Sequence, residues 1–154
     1  MSDGRHDVRP TGVRWLIFGL ACGTSWFLYL HRYTWNIVGP KLQESLGFSD
    51  VEFGVLFSLF NASYAVGQIP SGVISDLLGP HLFLGSIIVL WSLALIGFGF
   101  TERISLLGAL RVVFGTAQAG CYPSLAKVTH AWFPLRSRTT VQGWVATFSG
   151  AAAG

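Results

Sequence analysis

The chain has 154 residues, of which 51% are hydrophobic and 11% are charged, and its mean hydropathy is +0.54. Because soluble domains carry about 25% charged residues, this composition excludes an ordinary soluble domain and indicates an integral membrane protein. The pI of about 9.2 does not indicate a nucleic-acid partner, since the ten lysines and arginines are dispersed and form no basic stripe interleaved with aromatic residues.

A polar tail, residues 1–12, precedes the first apolar segment, which runs from about Val13 to Val38. A secretory signal peptide is the alternative for this segment, but the apolar run continues well past the small residues at which such a peptide would be cleaved. Its length suffices to cross about 30 Å of hydrocarbon with some tilt. Gly39-Pro40 is predicted to end the helix, and residues 41–50 are predicted to form a compact loop.

The second predicted span covers residues 51–74. Its start signal is Ser49-Asp50-Val51-Glu52, in which Ser49 or Asp50 can cap the helix and the acidic groups lie at the positive end of the helix dipole. Four polar side chains within the span suit a face turned toward protein or water better than one turned toward lipid: Asn61, Ser63, Tyr64 and Gln68.

A tight turn is predicted over residues 72–80, because glycines accept backbone angles that other residues resist and Pro80 can start a helix. The third span then covers residues 82–100 and is nearly uncharged. The fourth covers about residues 104–125 and is kinked or widened near Pro123, which neighbouring helices in a bundle tolerate.

The loop predicted over residues 127–138 carries Trp132 and Phe133 as interfacial anchors. The last segment, residues 139–154, has only 16 residues, whereas a span needs about 20 apolar residues. We therefore expect the sequence to stop inside its fifth helix and to be an amino-terminal fragment. The predicted fold class is an all-α membrane protein with four full transmembrane helices and a truncated fifth.

Lysines and arginines are distributed unevenly between the two sides of the predicted bundle. Two of the ten, Lys41 and Arg103, lie on one side, and two lie inside the membrane. The other six lie in the amino terminus or in the connections that follow the second and fourth spans. Because cytoplasmic loops are enriched in these residues, we expect the amino terminus and both of these connections to be cytoplasmic. The six are Arg5, Arg9, Arg14, Lys127, Arg136 and Arg138.

The two arginines inside the membrane lie at matching depth. Arg32 comes six residues before Val38, and Arg111 comes seven residues after Ile104, so both lie about 10 Å below the outer boundary at 1.5 Å per residue. Two like charges in a low dielectric repel unless water or an anion separates them, and the arginine fork suits carboxylate or phosphate. An anionic ligand is therefore the simplest interpretation, with snorkelling of Arg32 to the interface as the alternative.

Four further side chains are candidates for this site. Gln118 lies two helical turns beyond Arg111, on the same face. His31 could carry a proton, because its unperturbed pKa lies close to physiological pH, or it could be a structural histidine. Tyr29 and Tyr64 could contact the ligand or serve only in packing.

No motif for enzyme chemistry is found in the sequence. It contains no P-loop, no zinc-binding His-Glu-x-x-His and no Gly-x-Ser-x-Gly. The four histidines are scattered over tail, membrane and loops without metal-ligand spacing. We therefore expect neither an enzyme nor a cofactor or metal.

Six segments together make the chain resemble the major facilitator superfamily, and within it the anion:cation symporters, which include galactonate and hexuronate permeases. The first two resemble the superfamily's loop signature and its fourth-helix RxxxG signature. The segments are Gly72-x-x-x-Asp76-x-x-Gly79, Arg111-Val112-Val113-Phe114-Gly115, Tyr29-x-His31-Arg32, Phe60-Asn61-Ala62-Ser63-Tyr64-Ala65-Val66-Gly67-Gln68-Ile69-Pro70-Ser71-Gly72, Gly120-Cys121-Tyr122-Pro123 and Trp132-Phe133-Pro134.

The resemblance implies twelve helices in two six-helix halves, alternating access driven by an ion gradient, and a monomer in a bacterial inner membrane. On matching positions, Arg32 and Arg111 would contact the substrate carboxylate or belong to the network around it. Tyr29 and Tyr64 would line the cavity. The gating loop would contain Gly72, Asp76 and Gly79.

Two departures from the family pattern bear on coupling. Galactonate-type members commonly carry an acidic residue at the position of His31 and a glutamate at that of Gln118, and these acids are associated with proton coupling. The loop signature also lacks its basic residues here, which removes their usual charge interactions with the gate.

The main hypothesis is a secondary transporter for a small organic anion, a sugar acid or other carboxylate, with a proton or a sodium ion as the open alternatives for coupling. An organic phosphate exchanger is the alternative, because paired arginines without a titrating acid suit anion exchange. A membrane-embedded sensor or assembly subunit is the alternative from another class.

Overall fold

The computed structural model describes residues 12–151, and every residue from Gly12 to Leu46 and from Asp50 to Leu78 is helical. The predicted polar tail, apart from Gly12, and the last three residues of the predicted fifth span lie outside the described residues. Within them the chain forms six helices: α1 (Gly12–Leu46), α2 (Asp50–Leu78), α3 (Pro80–Phe98), α4 (Ile104–Ala119), α5 (Cys121–Trp132) and α6 (Leu135–Ala151).

The helices form one bundle in which α4 packs chiefly on α2 and α3, and α6 packs on α1. At one end, the guanidinium carbon of Arg14 lies 5.8 Å from the ring centre of Phe133, and Lys127 pairs with Asp76. The start of α1 and the α2-α3 and α5-α6 connections therefore share this end. The opposite end is closed by an apolar cluster around Trp35, Leu56 and Leu107.

The predicted end of the first helix at Gly39-Pro40 is wrong, since α1 continues through Pro40 to Leu46. A proline inside a helix costs about 3 kcal/mol, but packing offsets this cost here. The ring of Phe53 lies against Gly39 and stacks on Trp35 at 5.8 Å. The leucines of the last turns of α1 pack on the same cluster, so the loop is reduced to residues 47–49.

The helix start predicted at Ser49 is confirmed. Ser49 caps α2 in a capping box, in which its hydroxyl accepts from the backbone N–H of Glu52 and the Glu52 carboxylate accepts from the backbone N–H of Ser49. This reciprocal pair satisfies two N–H groups that a helix start leaves free.

The tight turn predicted over residues 72–80 is much shorter in the structure. Helix α2 runs to Leu78, and the turn is made by Gly79 alone, whose φ of +81° favours glycine. Pro80 occupies the first turn of α3, as predicted. Buried Ser71 and Ser75 keep the last turns of α2 packed in the bundle.

The loop predicted over residues 127–138 is also wrong in extent, because α5 continues to Trp132 and α6 begins at Leu135. Phe133 is not an interfacial anchor. It is buried, and its ring centre lies 6.5 Å from that of Phe18 on α1. The buried residues of α5 recur at helical spacing, which holds this segment to the bundle: Cys121, Ser124, Leu125, Val128 and Thr129.

The fourth predicted span is interrupted at Gly120, between α4 and α5, and not at Pro123, where a kink was predicted. Gly120 keeps helical backbone angles, with φ −77° and ψ −10°. A Cβ at this position would lie 2.6 Å from the ring of Phe83. The break is therefore a site where α3 approaches the backbone closely.

Within residues 12–151, three helical segments are long and apolar enough to cross a membrane: Gly12–Leu46, Pro80–Phe98 and Ile104–Trp132, the last of which combines α4 and α5. Helix α2 has 29 residues, but its polar side chains lower its mean hydropathy.

Candidate functional site

Close contact between α2 and α4 positions the two intramembrane arginines. A Cβ on Gly115 would lie 2.6 Å from the backbone oxygen of Phe60, and one on Gly67 would lie 3.0 Å from the Cβ of Ala119. Because glycine lets two helix backbones approach closely, α4 lies directly on α2. Arg111, one turn before Gly115, is thereby brought beside Phe60.

Arg111 is a buried cation held by aromatic rings. Only 3% of the residue is exposed. Its guanidinium carbon lies 3.2 Å from the ring centre of Trp35, 5.5 Å from that of Phe98 and 5.7 Å from that of Phe60. Each of these faces attracts a cation through the ring quadrupole.

Arg32 also lies close to Phe60. Its guanidinium carbon is 4.5 Å from the ring centre of Tyr64, 4.9 Å from that of Phe60 and 5.8 Å from that of Tyr29. The ring of Phe60 therefore lies within 6 Å of both guanidinium carbons.

Both arginines line one cavity of about 170 Å³ between α1, α2 and α4. Its other lining residues are Tyr33, Trp35, Asn36, Phe57, Phe60 and Asn61. The pairing of Arg32 with Arg111 predicted from their matching depth is thus consistent with the shared cavity wall. Besides the two cations, the polar groups of the lining are the amides of Asn36 and Asn61, the phenol of Tyr33 and the indole of Trp35.

Among residues 12–151, neither guanidinium forms an ion pair with a carboxylate within 4.0 Å. The Nε atoms of both arginines and Nη2 of Arg111 are buried without hydrogen-bond partners. Burying a charge without compensation costs several kcal/mol. The site therefore holds positive charge and buried nitrogen atoms without hydrogen-bond partners.

Gln118 does not line this cavity. It is fully buried, and its Nε2 donates to the backbone oxygen of Leu28 at 3.4 Å. Its Oε1 is buried without a partner. The amide therefore links α4 to α1 near the site.

His31 faces a different cavity from Arg32, because adjacent residues on a helix point about 100° apart. This second cavity, of about 430 Å³, is lined by His31, Trp35 and Arg111 among others. Arg111 and Trp35 line both cavities. Sequence reasoning missed Trp35, although its position three residues after Arg32 could have indicated it.

The residues of the loop signature lie on the last turns of α2 and at Gly79. Asp76 Oδ1 lies 2.7 Å from Lys127 Nζ, and Lys127 also donates to the backbone oxygen of Gly72 at 2.7 Å. Lys127 thus supplies a basic partner that the signature itself lacks. The helical spacing of apolar residues in α5 was the signal that could have identified this contact.

Comparison with known proteins agrees with this architecture. The family model of the Major Facilitator Superfamily matches residues 16–154. A hexuronate transporter of Bacillus subtilis is 35% identical over 119 residues, which cover 75% of this chain and 27% of that protein.

Two further relatives are a probable galactarate/D-glucarate transporter of Pseudomonas putida and a galacturonate transporter of Dickeya chrysanthemi. The first is 34% identical over 141 residues, covering 88% of this chain and 31% of the relative. The second is 28% identical over 133 residues, covering 86% and 39%. The chain spans about a third of the length of the curated relatives it matches.

The chain belongs to the major facilitator superfamily, as a match over most of its length shows. It is an all-helical, multi-pass membrane protein that is similar to sugar-acid transporters. The resemblance drawn from the sequence motifs is confirmed.

Proposed function

We propose that the protein is a secondary active transporter of a small organic anion, and that Arg32 and Arg111 bind the anion's carboxylate. The observation that carries this proposal is the shared cavity, in which two guanidinium groups lack a carboxylate partner among the described residues. Each guanidinium can donate two parallel hydrogen bonds to a carboxylate. Partial burial strengthens such contacts relative to water.

Sugar acids are the substrate class that we propose. The names of the similar proteins refer to hexuronate, galacturonate and galactarate or D-glucarate. The amides of Asn36 and Asn61 line the same cavity and can bond sugar hydroxyls. Tyr29 and Tyr64, which were expected to line the cavity, are not among its lining residues and act by contacting Arg32. Gln118 acts by holding α4 against α1.

Coupling to a proton or to sodium is the further part of the proposal. Among residues 12–151, His31 is suited to proton transfer. Its Nδ1 is buried without a hydrogen-bond partner, and imidazole can exchange a proton near neutral pH. In this scheme alternating access moves the α2 end that carries Gly72, Asp76 and Gly79, with the Lys127 contact opening and closing.

Transport and anion recognition are tested together by uptake into proteoliposomes containing the full-length protein. Arg32→Ala and Arg111→Ala should each reduce uptake of D-glucarate or D-galacturonate by about ten- to a hundredfold, the loss expected when a hydrogen bond to a charged group is removed. Arg103→Ala is the matched control, because Arg103 is exposed on the connection between α3 and α4 and does not line the cavity. Unchanged uptake in both cavity variants would disprove the site.

Organic phosphate exchange is the second candidate, because neither His31 nor Gln118 is a carboxylic acid. Counterflow of a sugar phosphate that does not depend on a pH gradient would favour it. Uptake of sugar acids that collapses with the proton gradient would instead support symport.

We also propose that the amino terminus is cytoplasmic in a bacterial inner membrane. Cysteines introduced at Ser137 and Thr101, which lie at opposite ends of the bundle, test this orientation. Both native cysteines are buried and give little background. An impermeant maleimide applied to intact spheroplasts should label the cysteine at position 101 and not that at position 137; the reverse labelling would contradict the orientation.

A further inference from the structure

Asn61 is an exposed polar residue in the membrane-spanning part of α2. It lies eleven residues after Asp50, the first residue of the helix, and it lines the cavity of about 170 Å³ that the two arginines share. Lipid offers an amide no hydrogen-bond partner, so such a side chain within a span faces protein or water. The exposed side chain of Asn61 is therefore directed to the open space of this cavity.

The orientation of the Asn61 amide is set by the backbone of its own helix. Its Nδ2 donates to the carbonyl oxygen of Phe57 at 2.9 Å. The reversed orientation would place Oδ1 against that carbonyl oxygen, and two acceptors form no hydrogen bond. Among residues 12–151, Oδ1 accepts no hydrogen bond, and it is not one of the buried atoms that lack a partner. Asn61 therefore presents an accessible, unpaired acceptor oxygen.

This acceptor lies close to a cation of the same cavity. Phe60, the preceding residue, and Tyr64, one turn further along α2, have ring centres 4.9 Å and 4.5 Å from the guanidinium carbon of Arg32. Asn36 lies one turn after Arg32 on α1 and lines the cavity as well. The cavity thus combines positive charge with an amide oxygen that can only accept.

The size of the cavity limits how much of a sugar acid it can hold. A water molecule takes about 30 Å³, so this cavity admits about five or six groups of that size. That matches one carboxylate together with the neighbouring carbon and its hydroxyl. An ionised carboxylate has no proton to donate, so the hydroxyl is the group that can pair with Oδ1 of Asn61.

We propose that Asn61 is a specificity-determining residue, whose Oδ1 accepts a hydrogen bond from the hydroxyl next to the bound carboxylate. The site then prefers 2-hydroxy acids over carboxylic acids without hydroxyls, because an acid that lacks this hydroxyl leaves Oδ1 unpaired against a carbon chain. This inference rests on the proposed function, since it assigns a role to a residue of the same cavity.

The test compares D-glucarate with adipate, the dicarboxylic acid that has the same carbon chain without hydroxyls. Proteoliposomes containing the full-length protein give the KM for D-glucarate uptake and the inhibition constant of adipate against that uptake. In the parent protein the inhibition constant should exceed the KM by at least about tenfold, the effect of one hydrogen bond. Asn61→Leu has a similar branched shape but no acceptor, so it should lower this ratio about tenfold, chiefly by raising the KM for D-glucarate.

Two further variants make the result specific. Asn61→Ala removes the acceptor without adding bulk and should lower the ratio to the same extent, which provides the measurement if the leucine variant does not fold. Gln68→Leu is the matched control, because Gln68 is an exposed amide of the same helix that does not line this cavity, and it should leave the ratio unchanged.

The outcomes separate this inference from the proposed function. If the parent protein takes up D-glucarate but the ratio is unchanged in both Asn61 variants, or falls equally in Gln68→Leu, the role of Asn61 is disproved and the proposed function stands. If the parent protein takes up no D-glucarate, the choice of sugar acids as substrates is contradicted, and this inference with it.

Discussion

Among the residues that the structure describes, Arg111 is stabilised by aromatic rings and not by a carboxylate. Its nearest contact is the face of Trp35, at 3.2 Å from the guanidinium carbon, and a desolvated cation–π contact contributes about 2 kcal/mol or more. Burial of an unpaired charge costs several kcal/mol. The aromatic contacts therefore offset only part of this cost, and the remainder favours binding of an anion.

Gly115 is the residue that allows this arrangement, since any Cβ there would collide with α2. Gly115→Ala should lower the free energy of unfolding by about 1–3 kcal/mol, as expected for overpacking, and should displace Arg111 from Phe60. The measurement is thermal or denaturant unfolding in detergent. Gly19→Ala is the matched control, because nothing lies within 4 Å of a Cβ there.

For Gly19→Ala we expect no loss, and a gain of up to about 1 kcal/mol from the higher helix propensity of alanine. Equal effects of the two substitutions would show that the contact of Gly115 with Phe60 does not limit the approach of α4 to α2.

Some helix ends in this protein are set by residues close together in the sequence, and others by contacts between helices. The start of α2 is set locally by Ser49 and Glu52, and this feature is readable from four consecutive residues. The end of α1 is set by packing of Phe53 on Gly39 and Trp35. Pro40 is the strongest local signal for the end of α1, but the helix continues through it because of that packing.

Removal of the cap should destabilise α2 from its first turn. Ser49→Ala should lower the free energy of unfolding by about 1 kcal/mol, the usual cost of losing a serine cap. Ser58→Ala serves as the control, since Ser58 is exposed within the same helix. Calorimetry in detergent compares the two, and an equal decrease in both would contradict a capping role.

An ion pair between Asp76 and Lys127 joins α2 to α5 at one end of the bundle. Asp76 is largely exposed, at 71%, whereas Lys127 is 30% exposed. Exposed ion pairs contribute about 0.2–1 kcal/mol, but Lys127 also donates to the backbone of Gly72. The pair therefore acts more in positioning α5 against α2 than in overall stability.

A double-mutant cycle with Asp76→Asn and Lys127→Met should give a coupling energy of about 0.2–1 kcal/mol that decreases at high salt. The control cycle replaces Lys127→Met by Arg136→Met, because Arg136 is exposed at the same end. A coupling of the same size in the control cycle would indicate a general charge effect and would contradict a specific pair.

Much of the architecture could be predicted from composition and from hydrophobic runs, because a membrane-spanning helix must be long, apolar and internally hydrogen-bonded. Counting residues along helices of constant rise predicted equal depth for Arg32 and Arg111, and both residues line one cavity. The cap at Ser49 and the start of α3 at Pro80 followed from local backbone chemistry. These features depend on residues close together in the sequence.

The remaining features depend on contacts between residues far apart in the sequence, and so were missed or predicted wrongly. Phe133 is buried against Phe18 on another helix, and Lys127 contacts Asp76 on another helix. Helix α1 continues past Pro40 because Phe53 of α2 packs against Gly39. The same holds for the division of His31 and Arg32 between two cavities, with Arg111 and Trp35 in both walls. A sequence shows that two side chains point apart on one helix, but the space beside each is defined by the helices that pack there.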